Sequence, residues 1–224
     1  MTFKQKLVSL IDPESATFQV LYHLRHPIKT ARKWRMILKK SSIFDDEDDL
    51  HGCSLMPTAL LKGTVDFIKP LSVLDVGCGS GKSLDWFLGE GIEVMGIEGS
   101  SMGIKHAKNP QFIRQEDLNK PVNLQRRFDL VWCFEVAEHI HPDFTEHFTK
   151  TLVTHSDLIV MSAAHPGQGG VGHFNEQPRA YWIELFNRLG YDHDDHGRAK
   201  VVEDWDWFPE NIFLFRKKNA TTSA

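Results

Sequence analysis

Two groups of residues in this 224-residue chain have the types and spacing to do chemistry. The first is the run Val73-Leu74-Asp75-Val76-Gly77-Cys78-Gly79-Ser80-Gly81-Lys82-Ser83. An apolar stretch with an acid near its end passes into three alternate glycines, a turn that lets backbone approach a small ligand closely. The second is Glu135-x-x-Glu138-His139, with His173 following 34 residues after His139. Two carboxylates at i and i+3, an adjacent imidazole and a distant one make an oxygen and nitrogen ligand set for Mg, Mn or Zn. The imidazoles favour Zn or Mn over Mg. In the absence of a metal, His139 or His173 has the chemistry of a general base for an acceptor hydroxyl.

Spacing separates the ligands that a glycine turn of this kind can hold. A dinucleotide fingerprint, G-x-G-x-x-G, fails on its third glycine, because the sixth position counted from Gly77 is Lys82 and from Gly79 is Leu84. A phosphate-binding loop, G-x-x-x-x-G-K-[ST], finds its end in Gly81-Lys82-Ser83 but has Val76 where its first glycine belongs. A nucleotide hydrolase or kinase built on that loop would need Lys82 on the phosphates and Glu135 or Asp129 for magnesium. Asp75 argues against it, since a carboxylate beside a triphosphate adds repulsion; it suits a ligand that carries positive charge.

The elements that must position these groups follow from the apolar pattern. A helical stretch from Met56 to Lys69 precedes the first strand, and a helix around Ser83–Gly89 follows it. The run from Ile92 to Ile97 reads as a second strand ending at Glu98, 21 residues beyond Gly77, where a nucleotide-binding α/β fold places an acid for ribose hydroxyls. Short strands are expected at Phe112–Gln115, Phe128–Phe134 and Asp157–Met161, a helix at Pro178–Leu189 and a last strand at Asn211–Arg216. The segment 162–178, with four glycines and His, Asn and Glu, is a lid candidate. The Asp- and His-rich stretch 191–210 gives no clear element, and its Trp205, Trp207 and Phe208 read as core.

The pattern D-x-G-x-G-x-G at the end of a first strand resembles the cofactor motif of class I S-adenosylmethionine-dependent methyltransferases. The sulfonium and ammonium groups of that cofactor agree with an acid at Asp75. The resemblance covers about residues 56–216 and implies an α/β fold: a Rossmann-like, doubly wound seven-stranded sheet with a reversed last hairpin. It implies cofactor contacts at Asp75, Gly77, Cys78, Gly79, Glu98 and Phe134, with Asp117 taking the adenine amino group and Leu118 lying on the ring. The Glu-x-x-Glu-His motif with a distant His resembles the metal site of small-RNA 2'-O-methyltransferases, and its first part that of ubiquinone-pathway O-methyltransferases. The expected activity is O-methylation of a small hydroxylated acceptor (sugar, diol or phenol-like), metal-assisted where Glu135, Glu138, His139 and His173 hold the ion. An RNA 2'-hydroxyl is the alternative acceptor, and a non-catalytic cofactor-binding protein is the alternative without turnover.

Composition sets the remaining bounds. A net charge of -4 gives no global field for nucleic acid, yet residues 21–40 hold seven Lys and Arg and no acid, on an amphipathic helical pattern that suits RNA phosphates or an anionic membrane. Residues 1–55 are expected to form a helical extension or cap, and 217–224 a frayed tail. Cys53, Cys78 and Cys133 form no C-x-x-C pair and suggest neither disulfide framework nor cysteine zinc site. No apolar run approaches membrane-span length and the short N-terminal apolar stretch is broken at Asp12-Pro13, so the expected location is cytoplasmic.

Overall fold

Strand β1 (Ser72–Val76) is buried at nearly every position because both of its faces are covered. Val73 points into one core while Leu74 and Val76 point into the other. The same alternation runs through β4 (Leu130–Cys133), β5 (Leu158–Ser162) and β7 (Ile212–Lys217). In β7, Phe213 and Phe215 share one face, and Ile212 and Leu214 the other. A computed structural model describes residues 56–170 and 172–218, so the expected N-terminal extension, the basic segment 21–40 and residues 219–224 lie outside the described residues.

The strands, with β2 (Glu93–Glu98), β3 (Ile113–Gln115) and β6 (Tyr191–His193), form one seven-stranded sheet in the order β3-β2-β1-β4-β5-β7-β6. β3, β2, β1, β4 and β5 pair in parallel, and β7 enters antiparallel to both β5 and β6. One face is covered by α1 (Thr58–Ile68), α2 (Lys82–Gly89) and α6 (Asp195–Val201), which contribute Leu60, Leu61, Phe87 and Val201. The other takes Phe148 and Leu152 from α4 (Thr145–His155) and Trp182 and Phe186 from α5 (Arg179–Arg188). The short α3 (Ser101–Lys105) follows β2, capped by Ser100 Oγ accepting from Gly103 N at 3.0 Å. The doubly wound sheet with its reversed hairpin is therefore present. No helix among the described residues is long and apolar enough to cross a membrane.

Strand ends differ from the sequence-based expectation by one or two residues, and β6 and α6 were not legible at all. Their polar sequence, Tyr191 to Val201, buries only single positions such as Tyr191, Gly197 and Val201, so neither apolar period develops. At the C-terminus, β7 runs through Lys217, and Lys218 N donates to Gly190 O, so ordered structure extends two residues into the segment expected as tail.

Candidate active site

The strand order reverses between β1 and β4, and the crevice beyond their carboxyl ends is where ligands bind in open α/β sheets. The glycine turn lies on one side of it. Gly77 has φ +76°, and a Cβ there would come within 2.5 Å of the Val136 side chain, so glycine is required both for backbone conformation and for close packing. Gly77 N and Cys78 N both donate to Ile97 O, tying the turn to β2. Glu98 closes it, with Oε2 accepting from Gly79 N and Oε1 from Ser100 N, each at 2.7 Å. Asp75 lies buried beneath; burial first, and then the charge of Glu98, push its carboxyl well above the usual carboxylate range.

Asp117 accepts from Asn119 N at 3.0 Å and pairs with Lys120 at 3.2 Å, which fixes the turn after β3. Leu118 beside it is buried in the core on the α4 and α5 side. Phe134, at the end of β4, stacks on Trp132 with ring centroids 5.8 Å apart. Asp129 sits at the opposite, amino-terminal end of β4 and accepts from Leu71 N and Ser72 N. It is a full strand away from the glycine turn, so the magnesium role that a phosphate-binding loop would ask of it has no geometric basis.

Beyond β4 the chain turns sharply at Glu135, which has φ +58°. A one-turn helix over Ala137–His139 then brings Glu138 and His139 together, and His173 arrives from the loop after β5. One ligand atom from each of Glu138, His139 and His173 lies within 4.8 Å of the other two. The two imidazoles meet edge to face with centroids 4.9 Å apart. His139 Nδ1 lies 3.2 Å from Gly172 O, a contact that places its proton on Nδ1 and its lone pair on Nε2. Burial, then the neighbouring His173, lower the His139 pKa to about 3, so the ring is neutral as a metal ligand must be. His173 Nδ1 lies 3.2 Å from Glu176 Oε1, and Glu176 itself accepts from Gly167 N and Gly169 N. A carboxylate behind a ligating imidazole orients the ring and raises its basicity.

Glu138 is fully buried, and neither of its carboxylate oxygens receives a hydrogen bond. Burial, followed by the charge of Glu135, pushes its pKa well up. A buried carboxylate is costly unless paired or bound to a metal, so the donor set fits a divalent cation. Glu135, the fourth expected ligand, stands beside Glu138 but outside this group of three: its Oε1 accepts from Ser162 Oγ at 2.8 Å and its N donates to the same Ser162 oxygen. The loop after β5 is stitched down, Phe174 N and Asn175 N both donating to Glu138 O and Asn175 Nδ2 to Ala137 O. The lid candidate is thus docked on the turn that carries Glu138 and His139. Asn175 and Glu176 enter the sequence reading only as polar residues of the lid candidate and Ser162 only as its first residue; the i+3 spacing of Glu176 from His173 is the one signal of a specific pairing among them.

The methyltransferase domain family model matches residues 54–204, more than half of the chain. Over 145 residues the chain is 27% identical to the ubiquinone biosynthesis O-methyltransferase of Alkalilimnicola ehrlichii, covering 61% of this chain and 53% of that protein. The chain thus spans about half the length of that curated relative. Among solved structures, the amino pentose methyltransferase CalS10 of Micromonospora echinaspora, with S-adenosylmethionine bound, superposes with a TM-score of 0.62 at 16% identity, over 77% of this chain and 96% of that one. The sugar N-methyltransferase KedS8 of Streptoalloteichus gives 0.61 at 15%, over 79% and 94%. The methyltransferase domain of a bacterial Hen1 gives 0.54 at 18%, over 73% and 100%. These likenesses are of fold, and they join the family match and the glycine turn in one conclusion: the chain belongs to the methyltransferase domain family and has the fold of class I S-adenosylmethionine-dependent methyltransferases.

Proposed function

We propose that the protein methylates an oxygen of a small hydroxylated acceptor, and that Glu138, His139 and His173 hold a divalent cation beside that acceptor. The observation that carries the metal is Glu138, a buried carboxylate with neither oxygen hydrogen-bonded, set against two imidazoles. When bound, the cation supplies Lewis acidity that makes an acceptor hydroxyl easier to deprotonate. The chain's own residues supply alignment. Gly77, Gly79 and Glu98 fix the donor end, and the docked loop holds His173 opposite His139, so that acceptor and methyl group meet in line. Oxygen as the acceptor atom is supported by the O-methyltransferase among its relatives.

The test is methyl transfer from labelled S-adenosylmethionine to a panel of hydroxylated acceptors. Chelation should abolish turnover and added Mn should restore it. Glu138→Gln and His173→Ala should lose turnover while still binding S-adenosylhomocysteine. Full turnover after exhaustive chelation, with no metal in the protein, would return His139 or His173 to the role of general base. An RNA 2'-hydroxyl is the second reading, motivated by the acid-free basic segment 21–40. RNA held there must lose affinity steeply with salt, and a flat response removes it.

A further inference from the structure

The glycine-rich loop after β5 is gathered around one carboxylate. Glu176 Oε2 accepts from Gly167 N at 2.9 Å, and Oε1 accepts from Gly169 N at 2.7 Å while lying 3.2 Å from His173 Nδ1. Both amides belong to glycines in the left-handed region, Gly167 at φ +81° and Gly169 at φ +75°. A Cβ at Gly170 would come within 2.5 Å of His173 Cδ2 and Nε2, so the backbone there lies directly against the ring. Little of either side chain reaches solvent, 11% for His173 and 17% for Glu176. Next to Glu176 in the chain, Asn175 Nδ2 donates to Ala137 O and to Thr145 Oγ1, which ties this segment to the turn after β4 and to α4.

The contact with Glu176 does two things to His173. It places the proton on Nδ1 and the lone pair on Nε2, and it fixes the direction in which the ring faces. Gly172 O sets His139 in the same way, so each imidazole of the group is oriented by an acceptor from this one loop. The three side chains then hold ligand atoms within 4.8 Å of one another, and the Glu138 oxygens receive no hydrogen bond. Acceptors that face one another in a buried site repel, so a positive charge among them favours this arrangement of the loop over one that withdraws His173.

We infer that Glu176 is a positioning residue for a divalent cation: it presents His173 Nε2 to Glu138 and His139, and through the same carboxylate it joins cation binding to the order of the Gly167 and Gly169 backbone. This rests on the metal reading above and adds the residue that couples the site to its loop. Glu176 is not itself a ligand. Among the described residues the group holds Glu138, His139 and His173, and both Glu176 oxygens are taken up by Gly167, Gly169 and His173. Coupling of this kind is reciprocal, so a bound cation must strengthen the two glycine hydrogen bonds by the factor with which those bonds strengthen cation binding.

The test is Mn titrated calorimetrically into the full chain with S-adenosylhomocysteine present, together with amide exchange at Gly167 and Gly169 with and without Mn. Bound Mn should slow exchange at both glycines by about tenfold or more. Glu176→Gln, which keeps the size and removes the charge, should weaken Mn by about ten- to a hundredfold, the usual cost of losing the partner behind a ligating imidazole. Affinity for S-adenosylhomocysteine should not change in that variant. Because Glu176 acts through His173, adding Glu176→Gln to His173→Ala should leave the already weakened Mn affinity where it is. Unchanged Mn affinity in Glu176→Gln, or an additive loss in the double variant, overturns the inference while the metal reading stands. Glycine exchange in the unaltered chain that ignores bound Mn does the same, and this measurement decides the matter if Glu176→Gln does not fold. Failure of Mn to bind the unaltered chain removes the metal reading and the inference together.

Discussion

Glu98 joins the two halves of the donor site. Its carboxylate accepts the backbone N–H groups of Gly79 and Ser100, so it both sets the shape of the glycine turn and places a charge where ribose hydroxyls would lie. Glu98→Ala should therefore weaken S-adenosylmethionine and S-adenosylhomocysteine alike, by about one to two decades in calorimetric affinity, the usual worth of charge-assisted hydrogen bonds. A loss confined to S-adenosylmethionine would point instead to a role at the sulfonium. Residue-level chemistry also accounts for Asp75: burial first, and then the charge of Glu98, disfavour its ionised form and hold its pKa well above the usual carboxylate range.

At the scale of elements, the long connection between β3 and β4 is held by α4. Thr151 Oγ1 accepts from Val122 N, and His155 Nε2 accepts from Leu124 N at 2.9 Å while its Nδ1 lies 2.6 Å from Thr151 O. Both nitrogens are committed in the neutral ring. Burial, chiefly, holds the His155 pKa below its ordinary value. The unfolded chain therefore takes up a proton below about pH 6.5 that the native ring refuses, and stability falls as pH drops through that point toward the lower native pKa. Above it the contribution is flat. Denaturant midpoints measured against pH should show this decline, and His155→Gln should make it shallower while lowering the midpoint at neutral pH, because Leu124 N loses its acceptor. An unchanged slope in the variant would assign the acid sensitivity elsewhere, His139 being the next group with a lowered pKa.

For the molecule as a whole, the proposed donor and acceptor functions are divided along the carboxyl edge of the sheet. The proposed cofactor contacts lie between β1 and the end of β4, whereas the proposed metal ligands beside the acceptor come from the turn after β4 and the loop after β5. Met56, the first described residue, packs against the same cluster as Phe134 and Trp205. Removal of residues 1–50 should alter acceptor turnover and leave S-adenosylmethionine affinity within a few-fold of the full chain, that is, by less than about 1 kcal/mol. A folded truncation that no longer binds the cofactor would contradict this division.

The sequence by itself determined what is local: apolar runs with period-two alternation, a glycine turn whose spacing excluded two ligand types, and an acid at the end of the second strand. Those features depend on residues within a few positions of one another, and backbone geometry alone fixes their relation. Only the tertiary structure decided what depends on loop packing. It brought His173 to Glu138 and His139 across 34 residues, engaged one Glu135 oxygen with Ser162, and docked the glycine-rich loop where a lid was expected. It also set Trp207 apart from Trp205, since aromatic residues in an unpatterned stretch have no period from which burial can be read. Polar edge elements such as β6 and α6 were hidden for the same reason: they bury too few side chains to write a pattern, and their pairing with β7 and α1 supplies what their own sequence does not.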